Sequence, residues 1–253
     1  MVRLPWGCAL EIDIREDIGR SVWTAGVFDL AVAEVLFRAA DPALLALDVG
    51  ANIGSMSGLL AARAAEVWAF EPYPPVLERL RRNVSRLTGA GQFAHCQVFP
   101  LALSDHEGEA RLACPDGSDK NHGLARIADS GSVAVRVAPL DALLGNREVG
   151  VMKLDVEGHE QAVLSGATHS LAAGRIRNIV FEDHVGPGGA VGKILRSYGY
   201  KLYAIGWVLR GPVLKPADET AHRVYEAPSY LATLAPEVVA SCRQRGWRCL
   251  GRG

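Results

Sequence analysis

The sequence predicts an α/β protein in which a mostly parallel sheet carries helices on both faces. Two observations support this prediction: short apolar runs alternate with amphipathic helical patterns, and most of these runs are continuously apolar. Continuous apolar runs are typical of strands buried on both faces, and their alternation with helices is typical of a parallel sheet. With 253 residues, the chain is expected to form one domain over residues 1–253.

The predicted elements follow these patterns in chain order. An N-terminal segment covers residues 1–40 and ends in a helix over 26–40, where apolar residues recur at helical spacing. Because they are short and mostly apolar, strands are predicted over 44–49, 66–70, 97–101, 149–155, 176–182, 200–205 and 230–234. Further helices are predicted over 55–65, 76–87, 159–173 and 191–198.

Two segments lack this regular alternation. Residues 106–138 contain several glycines around two β-like stretches, at 109–113 and 133–137, which favours a hairpin or lid. Residues 206–228 are interpreted as a loop-rich excursion before the last strand. We expect both segments to be variable lid or substrate regions, because acceptor choice is carried by sites added to a fold.

The composition excludes several classes of protein. A formal net charge of -1 does not fit a nucleic-acid binder, which is normally strongly basic. No apolar run approaches the about 18–20 residues of a membrane span, and the N-terminus lacks a signal-peptide pattern. We therefore expect a cytoplasmic protein without a nucleic-acid or membrane partner. The five scattered cysteines contain no Cys-x-x-Cys pair, which favours free thiols over a zinc site or a disulfide framework.

A glycine-containing turn, Asp48-Val-Gly-Ala-Asn-Ile-Gly54, connects the first buried strand to a helix. Gly50 and Gly54 permit positive φ and let a ligand approach the backbone closely. The turn does not match the Gly-x-Gly-x-x-Gly pattern of dinucleotide sites, since Asn52 replaces the second glycine and Ser55 the third. Asn52 can donate to a carboxylate and accept elsewhere, which favours an amino-acid moiety over a pyrophosphate.

Polar residues also follow the next two predicted strands. Glu71 ends the second strand, where a carboxylate can accept from both hydroxyls of a ribose. Ser104 and Asp105 follow the third strand, where they are placed to contact an adenine amino group. Together with the turn after the first strand, this order favours an adenosine ligand with a carboxylate tail, S-adenosylmethionine.

Six motifs in order resemble those of the FkbM family of S-adenosylmethionine-dependent methyltransferases, from about Trp23 to Leu234. They are Asp48-Val-Gly-Ala-Asn-Ile-Gly54, Phe70-Glu-Pro72, Ala102-Leu-Ser-Asp105, Pro139-Leu-Asp-Ala-Leu143, Leu154-Asp-Val-Glu-Gly-His-Glu160 and Glu182-Asp-His184. The resemblance implies a Rossmann-like class I methyltransferase fold, with a seven-stranded sheet whose last strand is antiparallel. It also implies O-methylation of a hydroxyl on a sugar, polyketide or other natural product, with S-adenosyl-L-homocysteine as the product of the cofactor.

The resemblance further implies which residues bind the cofactor. It places Asp48, Gly50, Asn52 and Gly54 around the methionine part, Glu71 at the ribose, and Ser104 and Asp105 by the adenine. Ala51, Pro72 and Asp155 are further expected cofactor-binding residues. The family usually has Gly-Tyr-Glu before the first core helix, whereas this chain has Gly26-Val-Phe-Asp29. The carboxylate of Asp29 is one methylene shorter and therefore reaches less far toward a ligand.

Three residues at the ends of the fourth and fifth strands are candidate catalytic groups. Asp155 ends the fourth strand, and a charge that closes an apolar strand needs a partner. Glu182 and His184 end the fifth strand, where a histidine can take a proton from an attacking hydroxyl near neutral pH. We expect His184 or Asp155 to act as the base, and Glu182 to orient the base or bind a substrate hydroxyl.

Several alternatives stay open. Asp155, Glu182 and His184 could instead bind Mg²⁺, although one histidine with two carboxylates fits a metal weakly, so no metal site is favoured. N-methylation, or methylation of a peptide or protein, would use the same cofactor frame. A non-catalytic protein that binds an adenosine ligand is an alternative from another class. The oligomeric state is open between a monomer and a homodimer.

Three further features have competing interpretations. The arginines at 79, 81, 82 and 86 are interpreted as a solvated helix face rather than a nucleic-acid grip. His122 in the lid region is as easily a surface residue as a substrate contact. Trp207 is a candidate wall of the substrate site.

Overall fold

The computed structural model describes residues 1–88, 91, 93–114, 125–218 and 229–251. The strands within these ranges are β1 (Val2–Arg3), β2 (Ala9–Leu10), β3 (Leu45–Val49), β4 (Glu66–Phe70), β5 (His95–Phe99), β6 (Ala102–Leu103), β7 (Gly108–Ala113), β8 (Arg126–Ile127), β9 (Val133–Ala138), β10 (Val149–Leu154), β11 (Asn178–Glu182), β12 (Lys201–Val208), β13 (Gly211–Pro216) and β14 (Ser229–Thr233). The helices are α1 (Asp17–Ala25), α2 (Leu30–Ala39), α3 (Ser55–Ala61), α4 (Pro74–Thr88), α5 (Leu140–Leu144), α6 (Glu160–Ser165), α7 (Thr168–Ala172), α8 (Ala190–Ser197) and α9 (Pro236–Cys242).

An eight-stranded sheet forms the centre of the described structure, in the order β13-β12-β14-β11-β10-β3-β4-β5. The five strands from β11 to β5 run parallel to one another. Strand β14 is inserted antiparallel between β11 and β12. The predicted Rossmann-like fold, with a mostly parallel sheet and an antiparallel last strand, is therefore confirmed for the seven strands from β12 to β5.

The eighth strand, β13, corrects the sequence prediction, which assigns residues 206–228 to a loop. It pairs antiparallel with β12, from Val208 opposite Gly211 to Tyr203 opposite Pro216. The sequence pattern of this strand contains Pro212 and Pro216, which argue against a strand because proline cannot donate to a sheet ladder. An edge strand tolerates proline, since one side of its backbone needs no ladder partner.

Several element boundaries differ from the prediction. The helix predicted over 26–40 spans Leu30–Ala39 (α2), because Gly26, at φ +78°, ends the preceding helix α1. The third predicted strand ends at Phe99, because Pro100 has no N–H for the ladder. The helix predicted over 159–173 divides into α6 and α7 around Gly166. A Cβ at Gly166 would lie 1.9 Å from the carbonyl oxygen of Ser104, so the backbone packs directly on the neighbouring segment at this break.

Strands β7, β8 and β9, from the described residues of the segment 106–138, belong to a second sheet with the order β6-β9-β7-β8. The predicted hairpin is present, because β7 pairs antiparallel with β9. Strand β6 joins β9 in parallel and so connects this sheet to the segment that follows β5. Residues 115–124, which include His122, and residues 219–228 lie outside the described residues.

Helices cover both faces of the large sheet. One hydrophobic core lies beneath α2, α3, α4 and α9, and includes Leu36, Leu59 and Val238. The other lies beneath α5 to α8, and includes Leu144, Val163 and Leu195. Because both faces are buried, β10 has no exposed residue along its length, as the continuous apolar runs predict.

The N-terminal segment is attached to α4 through ion pairs. Arg82 and Arg86 both donate to Glu11, at 2.7 and 3.1 Å, and Arg79 donates to Glu16 at 2.7 Å. Arg82 and Arg86 are exposed, as the interpretation of a solvated face expects, whereas Arg79 is partly buried. The acidic partners of these three residues lie more than sixty positions earlier in the chain.

None of the helices in the described ranges is long and apolar enough to cross a bilayer.

Candidate active site

A cleft of about 250 Å³ opens at the carboxyl ends of β3, β4, β10 and β11. Ligand sites of open α/β sheets lie at this edge, because the loops that leave the strands there diverge and form a crevice. The N-terminal segment closes one side of the cleft with Ile18 and Phe28. The second sheet contributes Leu112 and Ile127 to the lining.

The turn after β3 packs closely against the end of β10. Gly50 has φ +78°, and a Cβ at this position would lie 1.9 Å from the carbonyl oxygen of Asp155. Asn52 also has positive φ, at +49°, and its Oδ1 accepts from the backbone N–H of Ile53 at 2.7 Å. Gly50, Ala51 and Asn52 line the cleft, as predicted for residues that contact a ligand, whereas Gly54 caps α3 and does not.

Glu71 lies at the end of β4 and faces the same turn. Its Oε2 accepts from the backbone N–H of Asn52 at 3.0 Å, and its Oε1 accepts from that of Tyr73 at 2.9 Å. Burial raises the pKa of Glu71 to about 7. Each carboxylate oxygen has two lone pairs, so Glu71 can accept further hydrogen bonds from a diol in the cleft. Pro72 follows it in the lining.

Asp48 occupies a different place from the one predicted. Its side chain is fully buried and does not line the cleft. Ser57 donates to Oδ2 at 2.6 Å, while Oδ1 has no hydrogen-bond partner and lies 3.8 Å from Nζ of Lys153. Burial raises the pKa of Asp48. Asp48 thus lies behind the cleft lining, and a direct contact with the cofactor stays a prediction.

Lys153 links these groups, and the sequence reasoning missed it. Its Nζ donates to the carbonyl oxygen of Gly50 at 3.0 Å and lies 3.1 Å from Oδ2 of Asp155. Burial alone would lower the pKa of Lys153, but Asp155 and Asp48 raise it above its usual value. The sequence does contain an indication of this role. Lys153 is the one charged residue in the apolar strand Val149–Leu154, and a buried charge needs partners of opposite charge.

The candidate catalytic residues lie at different depths. Asp155 and Glu182 line the cleft, whereas His184 does not. The His184 side chain is 65% exposed, and its Nε2 lies 3.8 Å from Oε1 of Glu182. Burial and the neighbouring Asp155 raise the pKa of Glu182 to about 7. The structure therefore brings Glu182 and Asp155 together inside the cleft and leaves His184 at its rim.

Glu157 and Glu160 have separate functions in the loop after β10. Glu157 lines the cleft with φ +54°, and burial together with Asp155 raises its pKa. Glu160 instead accepts from the backbone N–H groups of Val156 and Gly158, at 3.1 and 3.2 Å. Glu160 is thus a structural residue of the loop.

Ser104 and Asp105 do not line the cleft. At this position the lining consists of Leu101, Ala102 and Leu103. The Ser104 hydroxyl lies 3.0 Å from Nε2 of His159, a residue that does line the cleft and that sequence reasoning did not single out. An adenine contact by Ser104 or Asp105 themselves stays a prediction, and this arrangement does not favour a direct one.

The structure also gives the positions of Trp207 and Asp29 relative to the cleft. Trp207 lies on β12 with 71% of its surface exposed and does not line the cleft. Asp29 lines the cleft at the start of α2, where its side chain accepts from the backbone N–H of Val32 at 3.0 Å. Among the residues that the structure describes, no three histidine, cysteine, aspartate or glutamate side chains are grouped as metal ligands.

Comparison with known proteins gives a consistent family. The model of the methyltransferase FkbM domain matches residues 48–202. The chain is 30% identical over 158 residues to the hexuronic acid methyltransferase AglP of Haloferax volcanii, a match that covers 61% of this chain and 62% of that protein. It is 30% identical over 200 residues to the 31-O-demethyl-FK506 methyltransferase FkbM of Streptomyces tacrolimicus, covering 64% of this chain and 75% of that protein.

Among solved structures, the chain aligns with the methyltransferase FkbM from Methylobacillus flagellatus KT. It aligns with a TM-score of 0.49 at 15% identity, covering 76% of this chain and 44% of that chain.

The strand order, the glycine turn and the carboxylate at the end of β4 define a Rossmann-like protein of the class I methyltransferase type. The family model matches more than half of the chain. The chain therefore belongs to the FkbM family of S-adenosylmethionine-dependent methyltransferases. Its match spans less than two thirds of the length of AglP.

Proposed function

We propose that this protein transfers the methyl group of S-adenosylmethionine to a hydroxyl of a small molecule, such as a sugar, a polyketide or another natural product. The observation that carries the proposal is one cleft in which the glycine turn and Glu71 face Glu182, a carboxylate with a pKa of about 7. The first pair suits a nucleoside with an amino-acid tail, and Glu182 suits proton transfer near neutral pH.

The residues present fit the cofactor. Glu71 retains lone pairs for the ribose hydroxyls, and the backbone at Gly50 leaves no room for a side chain beside Asp155. The carboxylates of Asp155, Glu157 and Glu182 give this part of the cleft a negative potential, which suits a ligand with a sulfonium and an ammonium group. When bound, S-adenosylmethionine supplies an electrophilic methyl group.

Glu182 is the proposed base, and this refines the assignment made from the sequence. Asp155 is a weaker candidate, because its carboxylate is paired with Lys153 at 3.1 Å. His184 is a weaker candidate for direct contact, because it lies outside the cleft lining. At 3.8 Å from Glu182, His184 is suited to pass the abstracted proton from Glu182 to solvent. Positioning of the hydroxyl near the methyl group supplies the remaining rate enhancement.

The relatives support an oxygen acceptor on a small molecule. One is named a hexuronic acid methyltransferase, and another a 31-O-demethyl-FK506 methyltransferase. N-methylation and methylation of a peptide or protein are the alternatives on the same cofactor frame. A nucleic-acid acceptor is disfavoured by the net charge of -1. We propose a cytoplasmic location, as a monomer or a homodimer.

Two experiments test the proposal. Calorimetric titration with S-adenosylmethionine tests whether the protein binds this cofactor. Absence of binding at millimolar concentration would overturn both hypotheses, that of a methyltransferase and that of a non-catalytic protein that binds an adenosine ligand. Mass spectrometry after incubation with hydroxylated glycosides and macrolactones, and with amine analogues of each, then separates O- from N-methylation. Binding without methylation of any acceptor would favour the non-catalytic alternative.

The role of a metal is tested separately. Turnover should be unchanged after treatment with EDTA, since neither Asp155 nor Glu182 binds a metal ion in this proposal. Loss of turnover that added Mg²⁺ restores would show that the two carboxylates and His184 bind a metal instead.

A further inference from the structure

A chain of hydrogen bonds runs from the surface to the cleft through the segment after β5. Nδ1 of His106 lies 2.7 Å from Oδ1 of Asp105, and the same oxygen lies 3.2 Å from the hydroxyl of Ser104. The Ser104 hydroxyl lies 3.0 Å from Nε2 of His159. Ser104 is 1% exposed, so this link is shielded from water. The chain ends at a side chain that lines the cleft.

The charge of Asp105 fixes the direction of the protons in this chain. The hydrogen bond from His106 lowers the pKa of Asp105, so its carboxylate is ionised and can only accept. The Ser104 hydroxyl has one proton, which must point to Asp105, because the two oxygens would otherwise meet without a proton between them. The Ser104 oxygen then accepts from His159, and the proton of a neutral imidazole lies on Nε2.

His159 is neutral in this position, so one of its ring nitrogens donates and the other can accept. Burial lowers the pKa of His159 below its ordinary value. With the proton on Nε2, Nδ1 carries a free lone pair, and it has no hydrogen-bond partner among the described residues. His159 therefore offers one acceptor to a ligand in the cleft.

The lining beside His159 suits the flat face of a purine. Leu101, Ala102 and Leu103 line the cleft on the side where Ser104 holds the imidazole. Leu112 and Ile127 of the second sheet line it as well. Glu71, the proposed ribose ligand, ends the strand adjacent to β5. A nucleoside bound to Glu71 thus has an apolar slot within reach that contains one oriented acceptor.

We infer that His159 selects the adenine base of the cofactor by accepting from its amino group through Nδ1, and that Asp105 and Ser104 are positioning residues that fix this tautomer. The inference rests on the proposed cofactor. It explains how Ser104 and Asp105 act on the adenine although neither lines the cleft. It also makes the site reject a base that carries a carbonyl oxygen in place of the amino group, since two acceptors would face each other.

The test compares S-adenosyl-L-homocysteine with its inosine analogue by calorimetric titration, without turnover. The natural protein should bind the adenine form about 10- to 100-fold more tightly, the size expected for one hydrogen bond replaced by an unsatisfied pair. His159→Leu removes both ring nitrogens, including the acceptor at Nδ1, and introduces no other hydrogen-bonding group, so the ratio should fall to within about 3-fold of unity. His95→Phe, on the exposed side of β5, is the matched control and should keep the ratio.

A ratio that is unchanged in His159→Leu would overturn the assignment of His159. Absence of binding of either compound to the natural protein would instead overturn the proposed cofactor, so the two failures are distinguishable. Nitrogen-15 NMR of the imidazole in the natural protein gives a second readout that needs no variant. We expect a protonated Nε2 and a bare Nδ1, with both tautomers populated in Ser104→Ala; a proton on Nδ1 of the natural protein would overturn the inference.

Discussion

Lys153 Nζ lies 3.1 Å from Oδ2 of Asp155 and 3.0 Å from the carbonyl oxygen of Gly50, so one buried cation joins the end of β10 to the turn after β3. The two strands are neighbours in the sheet, with Lys153 opposite Asp48. The glycine turn, the buried Asp48 and the cleft carboxylate Asp155 are therefore held by one ammonium group. The geometry of the turn and of the cleft therefore depends on Lys153, which itself lines the cleft.

Replacing Lys153 should therefore destabilise the protein. Lys153→Met leaves Asp48 buried without its counter-charge, and breaking a buried ion pair costs about 3–5 kcal/mol of the free energy of unfolding. Urea denaturation measures this change, with Lys201→Met on the exposed start of β12 as the matched control, expected within about 0.5 kcal/mol of the natural protein. A loss below about 1 kcal/mol in Lys153→Met would contradict the proposed role.

Glu71 should control cofactor affinity. Glu71→Ala removes the acceptor for the ribose hydroxyls, and we expect the dissociation constant for S-adenosyl-L-homocysteine to rise about 10- to 100-fold. Titration calorimetry measures the change, and Glu66→Ala at the other end of β4 is the control, because Glu66 does not line the cleft. Equal affinities for Glu71→Ala and the natural protein would remove Glu71 from the cofactor site.

The pKa of Glu71 also predicts a pH dependence of stability in the absence of ligand. A carboxyl group whose pKa is raised from 4.5 to about 7 contributes stability that is fully present below pH 4.5 and is lost as the pH rises through 7. The contribution is about 3.5 kcal/mol, from about 1.4 kcal/mol for each pKa unit. A glutamine side chain does not ionise, so Glu71→Gln should not lose this stability. As the pH rises from 4.5 to 7.5, the free energy of unfolding of Glu71→Gln should therefore increase relative to that of the natural protein. A constant difference across that range would contradict the raised pKa.

Glu182 should control turnover and its pH profile. Glu182→Gln removes the proposed base, and we expect kcat to fall about 100-fold or more while the affinity for S-adenosyl-L-homocysteine stays within about 3-fold. In the natural protein kcat should rise through pH 7 as Glu182 loses its proton. Steady-state kinetics measures both, with Glu237→Gln on the exposed side of α9 as the control. An unshifted pH profile in Glu182→Gln would assign the base to another residue.

His184→Ala separates the base from the proton outlet. Because His184 lies at the rim, 3.8 Å from Glu182, this variant should lower kcat less than Glu182→Gln and leave cofactor affinity nearly unchanged. Small imidazole added to the solution should restore part of the activity, since the site of His184 is exposed. A loss of cofactor affinity equal to the loss of kcat would contradict this role.

A buried ion pair attaches the C-terminus and gives a prediction far from the cleft. Glu34 and Arg38 are both fully buried on α2, with Nε of Arg38 2.5 Å from Oε1 of Glu34. Glu34 also accepts from the backbone N–H groups of Arg248 and Cys249, at 2.9 and 2.7 Å. Arg38→Met should cost about 3–5 kcal/mol of unfolding free energy, because it leaves Glu34 unpaired.

The matched control for that variant is an exposed pair of similar spacing. Arg20 and Asp17 lie on α1 with an N–O distance of 3.0 Å and more than half of each side chain exposed. Arg20→Met should cost no more than about 0.5 kcal/mol, since water screens the pair. Urea denaturation measures the free energy of unfolding of both variants. Equal losses in Arg38→Met and Arg20→Met would show that the Glu34–Arg38 pair does not stabilise the C-terminal attachment.

The sequence by itself determined the fold class and the edge of the sheet that carries the site. Both depend on local patterns: continuous apolar runs predict buried parallel strands, and polar or glycine residues at the ends of those runs mark the carboxyl edge. The turn at Gly50 and the carboxylate of Glu71 were predicted in this way, and both line the cleft. The edge strand β13 was missed because its prolines break the local pattern of a strand.

Only the tertiary structure decided which side chains at that edge face the cleft and what fixes them. Asp48 and Lys153 are neighbours across two strands, and Ser104 meets His159 fifty-five residues later in the chain. Such contacts depend on strand register and on the packing of helices over the sheet, which no local pattern encodes. Burial raises the pKa of Glu71 and of Glu182, whereas hydrogen bonds from Arg82 and Arg86 lower the pKa of the partly exposed Glu11.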